Sequence, residues 1–154
     1  MQLTRFSDLG LRTLMYLQQA EPDRSQAVTI AEIASQFDVP HNHLVKVVNR
    51  LGKLGWLSAT RGRKGGLALG VPAANLRLGQ VLQGLEGSLE LINCEDPPCT
   101  LRGQCLLKGA LNAGLAAFYA KMDEYSLADV CATRTGEAII TLHRQFLGQQ
   151  AARC

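Results

Sequence analysis

Residues 41–70, "HNHLVKVVNRLGKLGWLSATRGRKGGLALG", decide the fold. At helical periodicity Leu44, Val47, Val48, Leu51 and Leu54 fall on one side, and Asn42, His43, Lys46, Asn49, Arg50 and Lys53 fill the other. The spacing predicts a helix over 41–54 with one apolar face and one face of amides and cations. Solvated helix faces ordinarily mix both signs of charge, and this one has no carboxylate. Arg and Lys suit guanine edges and phosphates, and Asn suits adenine, so the polar face fits the recognition element of a helix-turn-helix. Immediately after it, two short strand candidates, 57–60 and 67–69, bracket Arg61-Gly62-Arg63-Lys64-Gly65-Gly66. Glycines allow positive φ and close backbone approach, and the cations supply phosphate contacts, so this hairpin reads as a wing. The candidate DNA contacts are Asn42, His43, Lys46 and Arg50 on the helix, and Arg61, Gly62, Arg63, Lys64, Gly65 and Gly66 in the hairpin.

Upstream, Phe6, Leu9, Leu14 and Leu17 recur at helical spacing within 3–19, and "AEPDRSQAV" supplies loop chemistry after them. Thr29 and Glu32 have capping-box spacing, in which a threonine accepts the third amide hydrogen and the glutamate reaches back, ahead of "IAEIASQF". Pro40 then separates a short second helix from the reading helix. The fold class expected is mainly α, a winged helix-turn-helix with a small β-hairpin wing and a long C-terminal dimerisation helix. Charge agrees: the net charge is +3, and 39–85 holds no Asp or Glu but seven Lys and Arg, which confines attraction for a polyanion to the first half.

Downstream, 76–87 reads as a short helix and 106–125 as a longer one. In the latter, Leu107, Ala110, Leu111, Gly114, Phe118, Met122 and Tyr125 form a seam at three- and four-residue steps, with small residues that permit close helix approach. Two-fold symmetry suits palindromic DNA sites, so the seam is assigned to a homodimer. Ser126 and Asp129 offer another cap, followed by a terminal helix and a polar tail. Three segments result: 1–72 as the DNA-binding unit, 73–105 as a connecting helix and cysteine loop, and 106–154 as dimer helix and tail.

The cysteine loop, "CEDPPCTLRGQC", carries Cys94, Cys99 and Cys105, three of the chain's five cysteines. Pro97 and Pro98 keep it out of regular structure, leaving the sulfurs free to converge. With 154 residues, 47% apolar and 19% charged, the chain has ordinary globular composition. It shows no secretory n- and h-region and no membrane-length apolar run, so it reads as cytoplasmic and without a membrane partner. In a reducing compartment clustered thiols favour metal or redox chemistry over disulfides. Soft thiolates suit zinc or an iron-sulfur cluster, and the C-x4-C-x5-C spacing matches neither a zinc knuckle nor the ferredoxin runs. Cys131 and Cys154 stand alone and read as a packed and a tail thiol. No dinucleotide fingerprint, CxxC pair or nucleophile-base constellation is present, which argues against an enzyme or an electron-transfer protein.

The N-terminal "MQLTRFSDLGLRTL", the "HNHLVKVVNRLGKLGWL" helix, the "TRGRKGGLALG" wing and the cysteine loop together resemble the nitric-oxide-sensing repressors of the NsrR type. These belong to the winged-helix superfamily that also contains the iron-sulfur regulator IscR, and the resemblance runs from residue 1 to about 130. It implies an iron-sulfur cluster, 4Fe-4S with 2Fe-2S as the alternative, held by Cys94, Cys99 and Cys105, with an aspartate from the partner subunit that matches Asp8. The IscR type instead has a histidine three residues after the last cysteine, and here that position is Lys108. The resemblance further implies a repressor of nitrosative-stress genes that binds a palindromic operator and releases it when nitric oxide attacks the cluster. The alternatives are an IscR-like iron-sulfur or redox regulator of other genes and a zinc-stabilised winged-helix regulator.

Overall fold

The computed structural model describes residues 2–21, 24, 26–60, 62, 65–87 and 90–152. Helix α1 (Arg5–Gln18) starts where Thr4, in extended conformation, accepts the Ser7 amide hydrogen. Helix α2 (Ile30–Gln36) starts at Thr29, whose hydroxyl accepts the Glu32 amide hydrogen at 3.1 Å. Only this half of the expected capping box forms. The Glu32 carboxylate turns inward instead, to partners recruited from elsewhere in the chain.

Asp38 adopts a left-handed conformation and Pro40 stands at the N-cap of α3 (His41–Lys53), which makes the tight turn between the two helices. Leu44, Val47, Val48 and Leu51 on α3 are buried, as their periodicity requires. Gly55, at φ +75, reverses the chain into a two-stranded antiparallel sheet of β1 (Leu57–Ala59) and β2 (Leu67–Leu69). Leu57 pairs with Leu69 and Ala59 with Leu67. A single bridge from Val28 to Leu67, with Leu67 N donating to Val28 O at 2.8 Å, ties the hairpin to the stretch before α2.

A single 3-10 turn (Ala73–Asn75) leads to α4 (Leu78–Glu86), then the cysteine loop, α5 (Leu106–Met122), α6 (Leu127–Val130) and α7 (Thr133–Ala151). At α6 the reciprocal cap is complete, with Ser126 and Asp129 exchanging both bonds. The main core joins Leu14, Ile33, Leu44, Val47 and Leu51 of the first half to Leu76, Val81, Leu85, Leu127, Cys131 and Ile139. The C-terminal elements therefore cover the helix-turn-helix. The expected terminal helix is α7, which runs through the polar tail to Ala151, because Gly136, Ile139 and His143 give it a buried face.

Helix α5 packs on α4 through Leu115 and Tyr119 against Leu82, flanked by Phe118 and Met122. The two residues α5 buries here, Leu115 and Tyr119, lie outside the expected seam, of whose C-terminal half Phe118 and Met122 are half-buried and Tyr125 is exposed. The N-terminal half is open, with Leu106 at 90% and Leu107 at 63% exposure and Ala110 and Gly114 exposed.

Candidate DNA-reading face and thiol cavity

On α3, Asn42, His43 and Lys46 are exposed on the side opposite the core. Arg50 shares that side, but its Nε and Nη2 donate to Gly84 O at 3.1 and 2.8 Å. It therefore braces α3 against the end of α4. In the hairpin Gly62 has φ +110 and is exposed, Gly65 N donates to Gly62 O at 2.9 Å, and Thr60 N donates to Gly66 O at 2.9 Å. Gly66 has a packing reason of its own. A Cβ there would run into Ala27 Cβ and lie 2.8 Å from Val28 O, so only glycine lets the wing lie against residues 27–28. The expected contacts Arg61, Arg63 and Lys64 lie outside the described residues.

The cysteine loop is folded by local hydrogen bonds, with Cys99 N donating to Cys94 O and Arg102 N to Cys99 O, both at 3.1 Å. Cys105 is the N-cap of α5, its sulfur accepting the Lys108 amide hydrogen at 3.5 Å. Cys94 is buried, Cys99 and Cys105 are half-buried, and all three are free thiols. They line one cavity of about 390 Å³, together with Arg102, Gly103, Gln104, Leu106, Lys108 and Gly109. Lys108 Nζ lies 3.3 Å from a Glu90 carboxylate oxygen. Among the described residues no three His, Cys, Asp or Glu side chains are arranged around a single metal ion.

Asp8 does not line that cavity. It sits in the first turn of α1, roughly half exposed, and Arg12 Nε donates to its Oδ1 at 2.8 Å. Cys131 is buried in the main core, where desolvation pushes its thiol up to about 11, which leaves it a poor thiolate donor at neutral pH.

A buried polar cluster between α1, α2 and α7 is absent from the sequence reading. Arg24 grips Glu32 with both Nη atoms, Tyr16 Oη donates to Glu32 Oε1 at 2.7 Å, and the His143 ring stacks on Tyr16 at 3.8 Å. His143 Nε2 lies 2.9 Å from Tyr16 O, which can only accept, and Nδ1 lies 2.6 Å from Arg24 Nη1, which can only donate. Nδ1 also lies 3.6 Å from Glu32 Oε1. The only local signal was Glu32, and its capping spacing explained it away.

A two-helix turn with an amide-and-cation reading helix, followed by a glycine hairpin, defines a winged helix-turn-helix DNA-binding protein. The model of the Rrf2 family, described as iron-dependent transcriptional regulator, matches residues 3–133. The chain belongs to this family, whose members are transcriptional regulators that bind DNA, commonly as dimers, and are not enzymes. Its fold is similar to CymR (YrzC), the global cysteine regulator of B. subtilis, with a TM-score of 0.69 and 20% identity over 86% of this chain and 97% of that one. It is also similar to IscR of T. potens, with a TM-score of 0.66 and 20% identity over 84% and 85% of the two chains. The oxidised form of Staphylococcus aureus CymR matches with a TM-score of 0.66 and 22% identity over 86% and 98%. No helix among the described residues is long and apolar enough to cross a membrane.

Proposed function

We propose that this regulator is a nitric-oxide-responsive repressor of the NsrR type, holding an iron-sulfur cluster on Cys94, Cys99 and Cys105. The observation that carries the reading is the set of three free thiols lining one cavity at the start of α5. Three thiolates leave one position for a further ligand, and we assign it to Asp8 of the partner subunit. When bound there, the cluster supplies iron centres that take nitric oxide as a ligand.

The chain's own residues supply the coupling. The exposed apolar turn at Leu106, Leu107 and Ala110 pairs α5 with the partner's α5, which brings each cysteine loop near the other subunit's DNA-binding unit. Asp8 lies on α1, and α1 packs directly on α3. Engagement of Asp8 across the dimer therefore holds the two reading helices at one spacing. Its release returns the carboxylate to Arg12 and frees that spacing, and a coupling of about 1–3 kcal/mol lowers DNA affinity roughly 5- to 150-fold. Asn42 reads base edges, Lys46 stands between them and the backbone, and the wing cations grip phosphates.

The test is anaerobic. The protein is purified without oxygen, its visible spectrum and iron and sulfide content are recorded, and nitric oxide is titrated while binding to a palindromic promoter fragment is followed. Brown protein that releases DNA in step with bleaching supports the sensor. Brown protein whose binding ignores nitric oxide makes it an iron-sulfur regulator of another signal, and colourless zinc protein removes the cluster.

A further inference from the structure

We propose that a cleft between the first turn of α1 and the middle of α3 seats one phosphate of the DNA backbone, with Arg5 as its main ligand. The cleft has a volume of about 280 Å³ and is lined by Arg5, Phe6, Leu9, His43, Lys46 and Val47. Leu9 and Val47 are buried and form its floor, Phe6 is half-buried, and Arg5, His43 and Lys46 are exposed at its rim. No carboxylate lines it.

The acids nearest the start of α1 are committed elsewhere. Asp8 is bound by Arg12, and Glu86 Oε1 accepts from Thr4 N at 2.9 Å and Thr4 Oγ1 at 3.2 Å. Arg5 itself makes no side-chain hydrogen bond or ion pair among the described residues. A cationic rim without acids calls for an anion, and an apolar floor beside it fits a deoxyribose better than free phosphate. Position agrees, since a helix inserted in a major groove about 12 Å wide is flanked by backbone, and α1 packs alongside α3. A guanidinium fork matches two phosphate oxygens at once, with Lys46 as a second, point-like cation. The inference rests on α3 being the reading helix, and it adds to that reading a contact from α1.

The experiment uses the full-length dimer, a duplex enriched by the wild-type protein from a random-sequence pool, and an unrelated duplex of equal length. Arg5→Gln weakens binding to both duplexes by a similar factor, on the order of tenfold at low salt, and reduces the slope of log K against log salt by about 0.9. In phosphate-ethylation interference it loses one interfering phosphate per half-site, while Arg5→Lys keeps the slope and the phosphate. Lys46→Gln weakens interference at that same phosphate, which provides a second reading if Arg5→Gln folds poorly. An Arg5→Gln protein with the wild-type slope and an intact interference pattern overturns the proposal. Failure of the wild-type protein to enrich any duplex would instead remove the reading-helix assignment, and the proposal with it.

Discussion

Arg24 and Glu32 form a bidentate ion pair in the protein interior, with Nη1–Oε1 and Nη2–Oε2 both at 2.9 Å and side chains only 5% and 2% exposed. Arg24 precedes α2 and Glu32 lies in its first turn, so the pair closes the connection between α1 and α2. His143 of α7 completes it from the far end of the chain, through Nδ1 to Arg24 and Nε2 to the Tyr16 carbonyl.

Glu32→Ala leaves a buried guanidinium without its counter-charge and the Tyr16 hydroxyl without its acceptor. Removal of one partner of a buried pair costs about 3–5 kcal/mol. Urea unfolding of Glu32→Ala is expected to show a loss of that size, whereas an exposed change such as Lys121→Ala, in a surface pair with Glu124, leaves the midpoint close to wild type. Equal effects from the two would mean the interior pair carries no special weight.

The same pair sets an acid limit. Burial alone would raise the Glu32 carboxyl, but contacts with His143, Arg24 and Tyr16 and the Arg24 charge outweigh it and hold the group below its ordinary value of 4.5. Because the folded value is depressed, the unfolded chain takes up the proton first. The stabilisation is complete above the ordinary value and is lost as pH falls through the folded one. The stability gap between wild type and Glu32→Gln is therefore constant at neutral pH and narrows below about 4.5. A gap that widened on acidification would reverse the sign of this argument.

Glu32 also marks where local reading stops. Its position three residues after Thr29 made a capping box the natural inference, and the Thr29 half is real. The other half fails because Arg24 and His143, 119 residues apart in sequence, meet beside it. No window of neighbours contains that encounter. The winged helix was legible because its signals are local: the period of α3, the proline before it and the glycines after β1. Thiol chemistry made the cysteine loop legible for a similar reason. In α5 the helix was legible but its buried face was not, since Leu115 and Tyr119, outside the expected seam, find α4 only after the chain turns back.

Gly66→Ala tests whether the wing is anchored as well as charged. The added methyl meets Ala27 and the Val28 carbonyl, and overpacking of this kind costs about 1–3 kcal/mol. Gly62→Ala has open space around it but a φ of +110, so its cost comes from backbone strain alone. Calorimetric melting of the two variants separates the mechanisms when each is combined with Ala27→Gly, which relieves the side-chain part of the Gly66→Ala clash, leaving that with the Val28 carbonyl, and leaves Gly62→Ala unchanged.

Leu107→Asp probes the open half of α5. The side chain is 63% exposed, next to Leu106 at 90%, and its replacement removes nothing from the protein's own core. The expected result is a folded protein with an unchanged circular dichroism spectrum that sediments as a monomer and loses affinity for a palindromic duplex. Leu115→Asp, by contrast, strikes the packing on α4 and is expected to unfold the second half. A Leu107→Asp dimer with wild-type DNA affinity would move the interface elsewhere.

The cluster assignment makes an asymmetric prediction about its four candidate ligands. Cys94, Cys99 and Cys105 line one cavity, so replacing any of them with Ala removes a strong thiolate. Each variant is expected to be a folded dimer without visible absorbance. Asp8 is different: in its own subunit it already has a partner in Arg12 at 2.8 Å, and a carboxylate is the harder, more weakly held ligand for iron next to thiolates. Asp8→Ala should therefore keep the colour when purified anaerobically, shift the spectrum, and bind DNA more weakly than the loaded wild type, by the coupling factor that Asp8 engagement supplies. Arg12→Gln removes the competing partner and so should favour engagement, leaving the loaded protein at wild-type affinity or slightly above it. If Asp8→Ala has the wild-type spectrum and the wild-type response to nitric oxide, the fourth ligand lies elsewhere and the first turn of α1 serves only DNA.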